Sequence, residues 1–298
     1  MATTFVVGAT GYIGGRLSQR LAADGHVVRG LAHTPESEAE LIRQGHTPVR
    51  ATLADIDVLR REAAGADAVV WTVMSLNPAE YPGMEAALVA MNDALAGSGK
   101  PLLCMGGGMI YADTGTKPIG EDGPVDVTNP IAGHALHLEQ VALQGAEQGV
   151  RSLAIRSSLV YGRGAGMFVR GPIEAARQFG AARYVGTGAM KMSTVHIDDL
   201  IDLLARALRD GPAGTVFNAA GGPPVTTLEL ARATAHAAGI DKVDSIPTEK
   251  AYEVLGFLGD IMAKNLWLSV ERARTLLGWS PNQPSVLDDL TIGSYAAG

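Results

Sequence analysis

The stretch NPIAGHALHLEQ, residues 129–140, carries two histidines three apart and a glutamate among apolar residues at helical spacing. Imidazole titrates near neutrality, so His134 and His137 are the residue type that proton transfer at neutral pH calls for. A metal would need a third ligand, which i, i+3 spacing alone does not provide, and no metal site is expected. A second stretch, GATGYIG at residues 8–14, follows the β-branched run TTFVV. Gly8 permits a tight turn, Gly11 lets backbone N–H groups approach a pyrophosphate at a helix N-terminus, and Gly14 lets that helix lie close on the strand. The expected ligand is a dinucleotide held by Gly8, Thr10, Gly11, Tyr12, Ile13 and Gly14.

Which dinucleotide fits depends on the end of the second strand, where a carboxylate would bond a ribose 2′-hydroxyl and repel a 2′-phosphate. The segment VVRGLAHTPE offers Arg29, His33 and Thr34 and no acid before Glu36. NADP(H) is therefore expected, with NAD(H) as the alternative. Leu53 and Val73 complete the expected cofactor contacts.

Such residues need a frame to hold them. Short β-branched runs (TTFVVGA, HVVRGLA, HTPVRA, DAVVWTV, KPLLCMG, RSLAIRS) alternate with longer stretches of helical periodicity, several ending in glycine. That alternation predicts a Rossmann-type, doubly wound α/β fold: a parallel sheet covered on both faces. Residues 1–163 make the dinucleotide-binding core, with returns near 193–222. Residues 164–298 make most of a smaller substrate lobe interleaved with it, with helices near 167–179, 198–210, 226–238, 248–264 and 269–277.

At 298 residues, 47% hydrophobic and 18% charged, the chain can bury a large core and reads as soluble and globular. Its net charge of −7, with no concentrated basic patch, argues against nucleic acid or an anionic membrane surface as partner. The single Cys104 makes no internal disulfide, so nothing asks for an oxidising compartment and the cytoplasm is expected. The N-terminus reaches its glycines too early for a signal peptide, and no run of about 18 apolar residues spans a bilayer.

With the loop GATGYIG in place, the chain resembles the extended short-chain dehydrogenase/reductase family of NAD(P)-dependent epimerases, dehydratases and reductases. The likeness runs from about residue 3 to about residue 280 and includes RSSLVYGRG (156–164), STVHIDDL (193–200), GTVFNAAGGPPVTTLELA (214–231) and ERARTLLGWSP (271–281). The resemblance implies a serine or threonine that polarises the reacting carbonyl, a tyrosine that transfers the proton, and a lysine four residues on that lowers the phenol's pKa. Those positions fall on Gly107, Ile131 and Ala135, so all three side chains are missing. His134, one turn after Ile131 on the same face, is the expected replacement acid or base. Tyr111 is a second phenol to consider, although the matching family tyrosine is structural.

Family members acting on sugar nucleotides hold phosphates with an asparagine and an arginine, here Leu159 and Met192. Losing both charge-assisted clamps disfavours a nucleotide sugar. Gly107, Ile131, Leu159 and Met192 are the expected substrate contacts. The apolar segment AYEVLGFLGDIMAKNLWL at 251–268 falls where the family builds its lid, which fits a small, largely apolar substrate. The leading expectation is an NADP(H)-dependent reductase of a small apolar carbonyl or imine. Two other readings stay open: a non-redox isomerase, cyclase or lyase, and a catalytically silent NAD(P)-binding sensor. The resemblance also implies a homodimer through helices near 80–97 and 130–148.

Overall fold

Strand β1 (Thr3–Val7) is buried over four of its five residues, as expected for a strand covered on both faces. In the computed structural model, which describes residues 1–296, it leads into α1 (Tyr12–Ala23) and opens an α/β series. There follow β2 (Val27–Ala32), α2 (Pro35–Arg43), β3 (Thr47–Arg50), α3 (Ile56–Gly65), β4 (Ala68–Trp71) and α4 (Tyr81–Leu95). The series continues with β5 (Pro101–Gly107), α5 (Pro130–Gln144) and β6 (Arg151–Ser157). These six strands match the sequence expectation.

The seven-stranded sheet runs β6, β5, β4, β1, β2, β3, with the strand Thr215–Ala219 outside β6. β1 pairs in parallel with β2 and β4, β2 with β3, and β4 with β5. The order therefore reverses between β1 and β4, which opens a crevice at their carboxyl ends. Phe5, Val7, Val69, Trp71, Leu88 and Met91 pack in one buried cluster of sheet and helix side chains. Beside that cluster Glu139 of α5 accepts from Arg156 of β6 at 2.8 Å and 2.6 Å, both side chains being buried.

The chain divides into two compact units: residues 1–107, 127–156 and 201–217, and residues 108–126, 157–200 and 218–298. This corrects the sequence division in two places. Residues 108–126 belong to the second unit, and the return to the first spans 201–217 rather than 193–222. The reason is a set of long-range bonds made by a segment with little regular structure. Within the second unit the Thr114 and Ile119 amides donate to the Asn265 and Trp267 carbonyls, and the Lys264 ammonium donates to the Tyr111 carbonyl at 2.6 Å. Nothing local encodes these pairings.

The second unit holds a three-stranded sheet in the order Gly221–Thr226, Lys191–His196, Leu159–Tyr161, and a parallel pair, Ala182–Val185 with Val243–Ile246. The strand Gly221–Thr226 was not expected: it contains two prolines, and it carries an irregularity between Gly221 and Val225 that accommodates them at the sheet edge. The helix expected over 248–264 is broken. Gly256, at φ +57°, separates Ala251–Leu255 from Phe257–Met262.

Candidate functional site

The turn after β1 has the geometry its glycines imply. Gly8 sits at φ +94°, and the Gly11 amide donates to the Gly8 carbonyl at 2.9 Å. A Cβ on Gly14 would lie 2.2 Å from the Gly8 carbonyl oxygen and 2.5 Å from Thr72 Oγ1, so only glycine lets α1 start this close to the strand. Thr72, just past β4, donates to the Val7 carbonyl at 2.9 Å and fastens the turn across the crevice. The sequence reading missed Thr72, because its partner is 65 residues away. Gly11 is the N-cap of α1 and contributes no side-chain cap, and no acid stands in the helix's first turn. The cradle thus presents the positive end of a helix dipole without an internal anion to neutralise it. Thr10, Tyr12 and Ile13 lie on this same turn, and Val73 walls it, 3.2 Å from where a Gly8 Cβ would be. Leu53 is half-buried and packs against the same core cluster as Val73.

At the second strand the structure removes one candidate. Arg29 lies mid-strand, in register with Phe5 rather than with the glycine turn, and its Nε donates to Glu62 at 2.7 Å. That bond holds the guanidinium charged and raises its pKa further, but it ties the group to α3 and away from a ribose. Thr34 is the N-cap of α2, where its hydroxyl accepts from the Ser37 amide in a reciprocal capping box. His33 remains as the exposed side chain at the strand end, and Glu36 is the first acid after it.

The helix α5 begins at Pro130 under an Asn129 cap, and the Ile131 amide donates to the Asn129 side chain. His134 stacks on Tyr81, the first residue of α4, with ring centroids 3.5 Å apart and planes 7° apart. His134 Nε2 and the Tyr81 hydroxyl are both buried without a hydrogen-bond partner. Burial pushes the imidazole pKa down, His137 adding to it, and pushes the phenol pKa up. Both groups are accordingly neutral at pH 7. His137 lies on the outer side and meets Glu85 at 3.1 Å, so the two histidines do not converge on one point. Tyr81 was not singled out because, at the head of the helical stretch AEYPGMEAALVAMNDALAGSG, nothing local marks it as the stacking partner of a residue far along the chain.

Tyr111 is corrected. It is fully buried in the second unit and donates from its hydroxyl to Asn218 Oδ1 at 2.8 Å, which makes it a brace of that unit and not an acid. Gly107 ends β5, and neither it nor Ile131 brings a polar side chain.

Leu159 and Met192 come together. Both line a cavity of about 290 Å³ in the second unit, together with Phe168, Leu230, Leu255 and Met262. Val254, Leu255, Leu258 and Met262, from the broken helix pair of 251–262, form part of its wall. Other side chains that could do chemistry are structural. His196 accepts from the Asp198 amide, and Asp199 accepts from the amides of Asn282 and Gln283 rather than capping its own helix. Cys104 is buried, which pushes its thiol pKa up and leaves it unreactive. Among the described residues no helix is long and apolar enough to cross a membrane.

A seven-stranded sheet with an order reversal and a glycine cradle at that reversal defines a Rossmann-type protein of the extended short-chain dehydrogenase/reductase class. The chain belongs to the NAD dependent epimerase/dehydratase family, whose pattern matches residues 4–220. It is 29% identical to the uncharacterized protein YLL056C of Saccharomyces cerevisiae, over 96% of this chain and 97% of that one. It is 28% identical to a 2-alkyl-3-oxoalkanoate reductase of Stenotrophomonas maltophilia, over 93% and 94% of the two chains. In fold it is similar to Thermus thermophilus UDP-glucose 4-epimerase, solved with NAD, with a TM-score of 0.80, 19% identity and 98% of each chain covered.

Proposed function

We propose that this protein is an NADP(H)-dependent reductase of a small, largely apolar carbonyl or imine compound. The observation that carries the reading is the glycine cradle of the first unit, where a Cβ at position 14 would lie 2.2 Å from the Gly8 carbonyl oxygen; the mostly apolar cavity within the second unit, lined by Leu159 and Met192 among others, supports an apolar substrate. The reductase relative supports the direction of chemistry, and the NAD-bound fold neighbour supports the cofactor class. The choice of NADP(H) rests on the strand end, where His33 stands and the first acid is Glu36.

Gly8, Gly11 and Gly14 would hold the pyrophosphate against the first turn of α1, with Thr10, Tyr12, Ile13 and Val73 around it. When bound, the reduced nicotinamide supplies a hydride. This chain's own task is the proton. With Ile131 and Ala135 where the family has tyrosine and lysine, no phenolate–ammonium pair exists on α5. His134 is one turn further on, neutral, and carries its proton on one ring nitrogen. Through that N–H it would hydrogen-bond the oxygen or nitrogen made negative by hydride addition, and the net proton that yields alcohol or amine comes from solvent. Tyr81, face to face with it, fixes the plane of the ring.

The test is turnover of NADPH, followed by nicotinamide absorbance, on a panel of apolar ketones, aldehydes and imines. Oxidation that depends on one of them is expected. Product formed without any absorbance change would overturn the reductase reading in favour of isomerase, cyclase or lyase chemistry. Tight cofactor binding with no turnover of any compound would favour the sensor reading.

A further inference from the structure

Arg183 is the one charged side chain lining the cavity of the second unit, among the described residues. Its guanidinium lies 4.9 Å from the centroid of the Phe179 ring, which lines the same cavity. Its neighbour in the parallel sheet register is Asp244, the obvious carboxylate partner. Asp244 instead meets the Lys242 ammonium at 2.9 Å. Among the described residues, no acceptor takes a hydrogen bond from the Arg183 side chain, whose contact is the Phe179 ring. Thr234 supplies the only other polar side chain of the lining.

A guanidinium cannot shed its charge, and its five N–H donors form a planar fork. Half-buried beside apolar side chains, it is partly shielded from water, which strengthens its attraction to an anion relative to bulk solvent. Stacking on Phe179 holds the fork in place without using any of its donors. The geometry that satisfies such a fork is a carboxylate, which accepts two parallel bonds. The rest of the wall, with Phe168, Leu230, Leu255, Leu258 and Met262, offers only apolar contact. A cavity of about 290 Å³ is at the small end of ligand sites.

We infer that this cavity binds an amphipathic carboxylate, its hydrocarbon chain among the apolar side chains and its carboxylate paired with Arg183. The inference deepens the reductase reading, and rests on it only in naming the substrate as an oxo acid with an apolar chain rather than a neutral ketone. Arg183 is then a specificity residue: it selects the anionic head and takes no part in hydride or proton transfer.

The experiment separates binding from turnover. Calorimetric titration with decanoate and with 1-decanol is run on the wild-type protein, Arg183→Gln and Arg183→Lys. A charge-assisted pair predicts decanoate binding at least about tenfold tighter than decanol in the wild type. Arg183→Gln should lose that difference while keeping its decanol affinity, which also shows that the variant is folded. Arg183→Lys should recover part of it. Equal affinities for acid and alcohol in the wild type, no decanoate binding, or an unchanged decanoate affinity in Arg183→Gln would each overturn the proposal. NADPH oxidation with 3-oxodecanoate and with its methyl ester then reports on the reductase reading separately. Arg183-dependent decanoate binding without oxidation of either compound leaves the carboxylate site standing and removes the reductase. Equal oxidation of acid and ester, unchanged in Arg183→Gln, does the reverse.

Discussion

The imidazole of His134 lies face to face with the phenol of Tyr81, 3.5 Å between centroids, and each ring buries a polar atom that has no hydrogen-bond partner among the described residues. Unsatisfied buried polar atoms cost free energy, so a pair of them at the start of two adjacent helices needs a reason. Proton delivery provides one. His134→Ala should reduce NADPH-dependent turnover by about 100-fold or more, the usual contribution of a positioned acid or base. Tyr81→Phe keeps the stack, and should leave kcat within a few-fold while changing its pH profile. Full activity in His134→Ala would remove the histidine from the mechanism.

The glycine cradle makes a sharper steric claim. A methyl group at position 14 would sit 2.2 Å from the Gly8 carbonyl oxygen, and neither backbone can retreat without breaking the bond from Thr72. Gly14→Ala should abolish the thermal shift produced by NADP(H). Gly65→Ala, where an added methyl meets nothing within 4 Å, should leave that shift unchanged.

In the proposed reading, cofactor choice turns on His33, an exposed side chain. His33→Asp places a carboxylate where a ribose 2′-phosphate would lie, repelling it while bonding a free 2′-hydroxyl. The ratio of NADPH to NADH affinities, measured by titration, should move toward NADH by about tenfold or more, the size of one charge-assisted bond. An unchanged ratio would show that the phosphate binds elsewhere. Arg29→Met should leave the ratio alone, since Arg29 is held by Glu62.

Glu139 and Arg156 form a buried, doubly bonded ion pair between α5 and β6. Removing one partner strands a charge in the core, so Arg156→Met should cost about 3–5 kcal/mol in urea unfolding. Replacing both, as Glu139→Gln with Arg156→Met, should cost clearly less than the single change, because no unpaired charge remains.

Acid sensitivity follows from two histidines whose folded pKa lies below the unfolded value: His134 and His46, both lowered chiefly by burial. The unfolded chain therefore binds protons first. The associated stability is complete above about pH 6.5, the unfolded imidazole value, and is lost as pH falls through the folded values. The urea midpoint should hold steady between about pH 8 and about pH 7, then drop toward about pH 5. His46→Gln with His134→Gln should flatten that drop. Carboxylates with lowered pKa, such as Asp113 and Glu229, give way only further down, below the ordinary carboxylate range.

The six strands of the first unit and the glycine turn were legible in the chain itself. Continuous β-branched runs and glycine-ended helical periodicities are local signals, and a residue with φ +94° followed by two close backbone approaches admits little but glycine. The residue types at Gly107, Ile131 and Ala135, where the resemblance leads one to expect serine, tyrosine and lysine, are likewise readable from the chain alone. Tertiary structure decided what depends on partners far apart in sequence. It gave residues 108–126 to the second unit, tied Arg29 to Glu62, closed Tyr111 against Asn218, and set Tyr81 on His134. It also left Arg183 without a carboxylate partner among the described residues by giving Asp244 to Lys242. Each is a contact between side chains whose own neighbourhoods contain no sign of the other, because burial and hydrogen bonding are satisfied by whichever group the folded chain brings near.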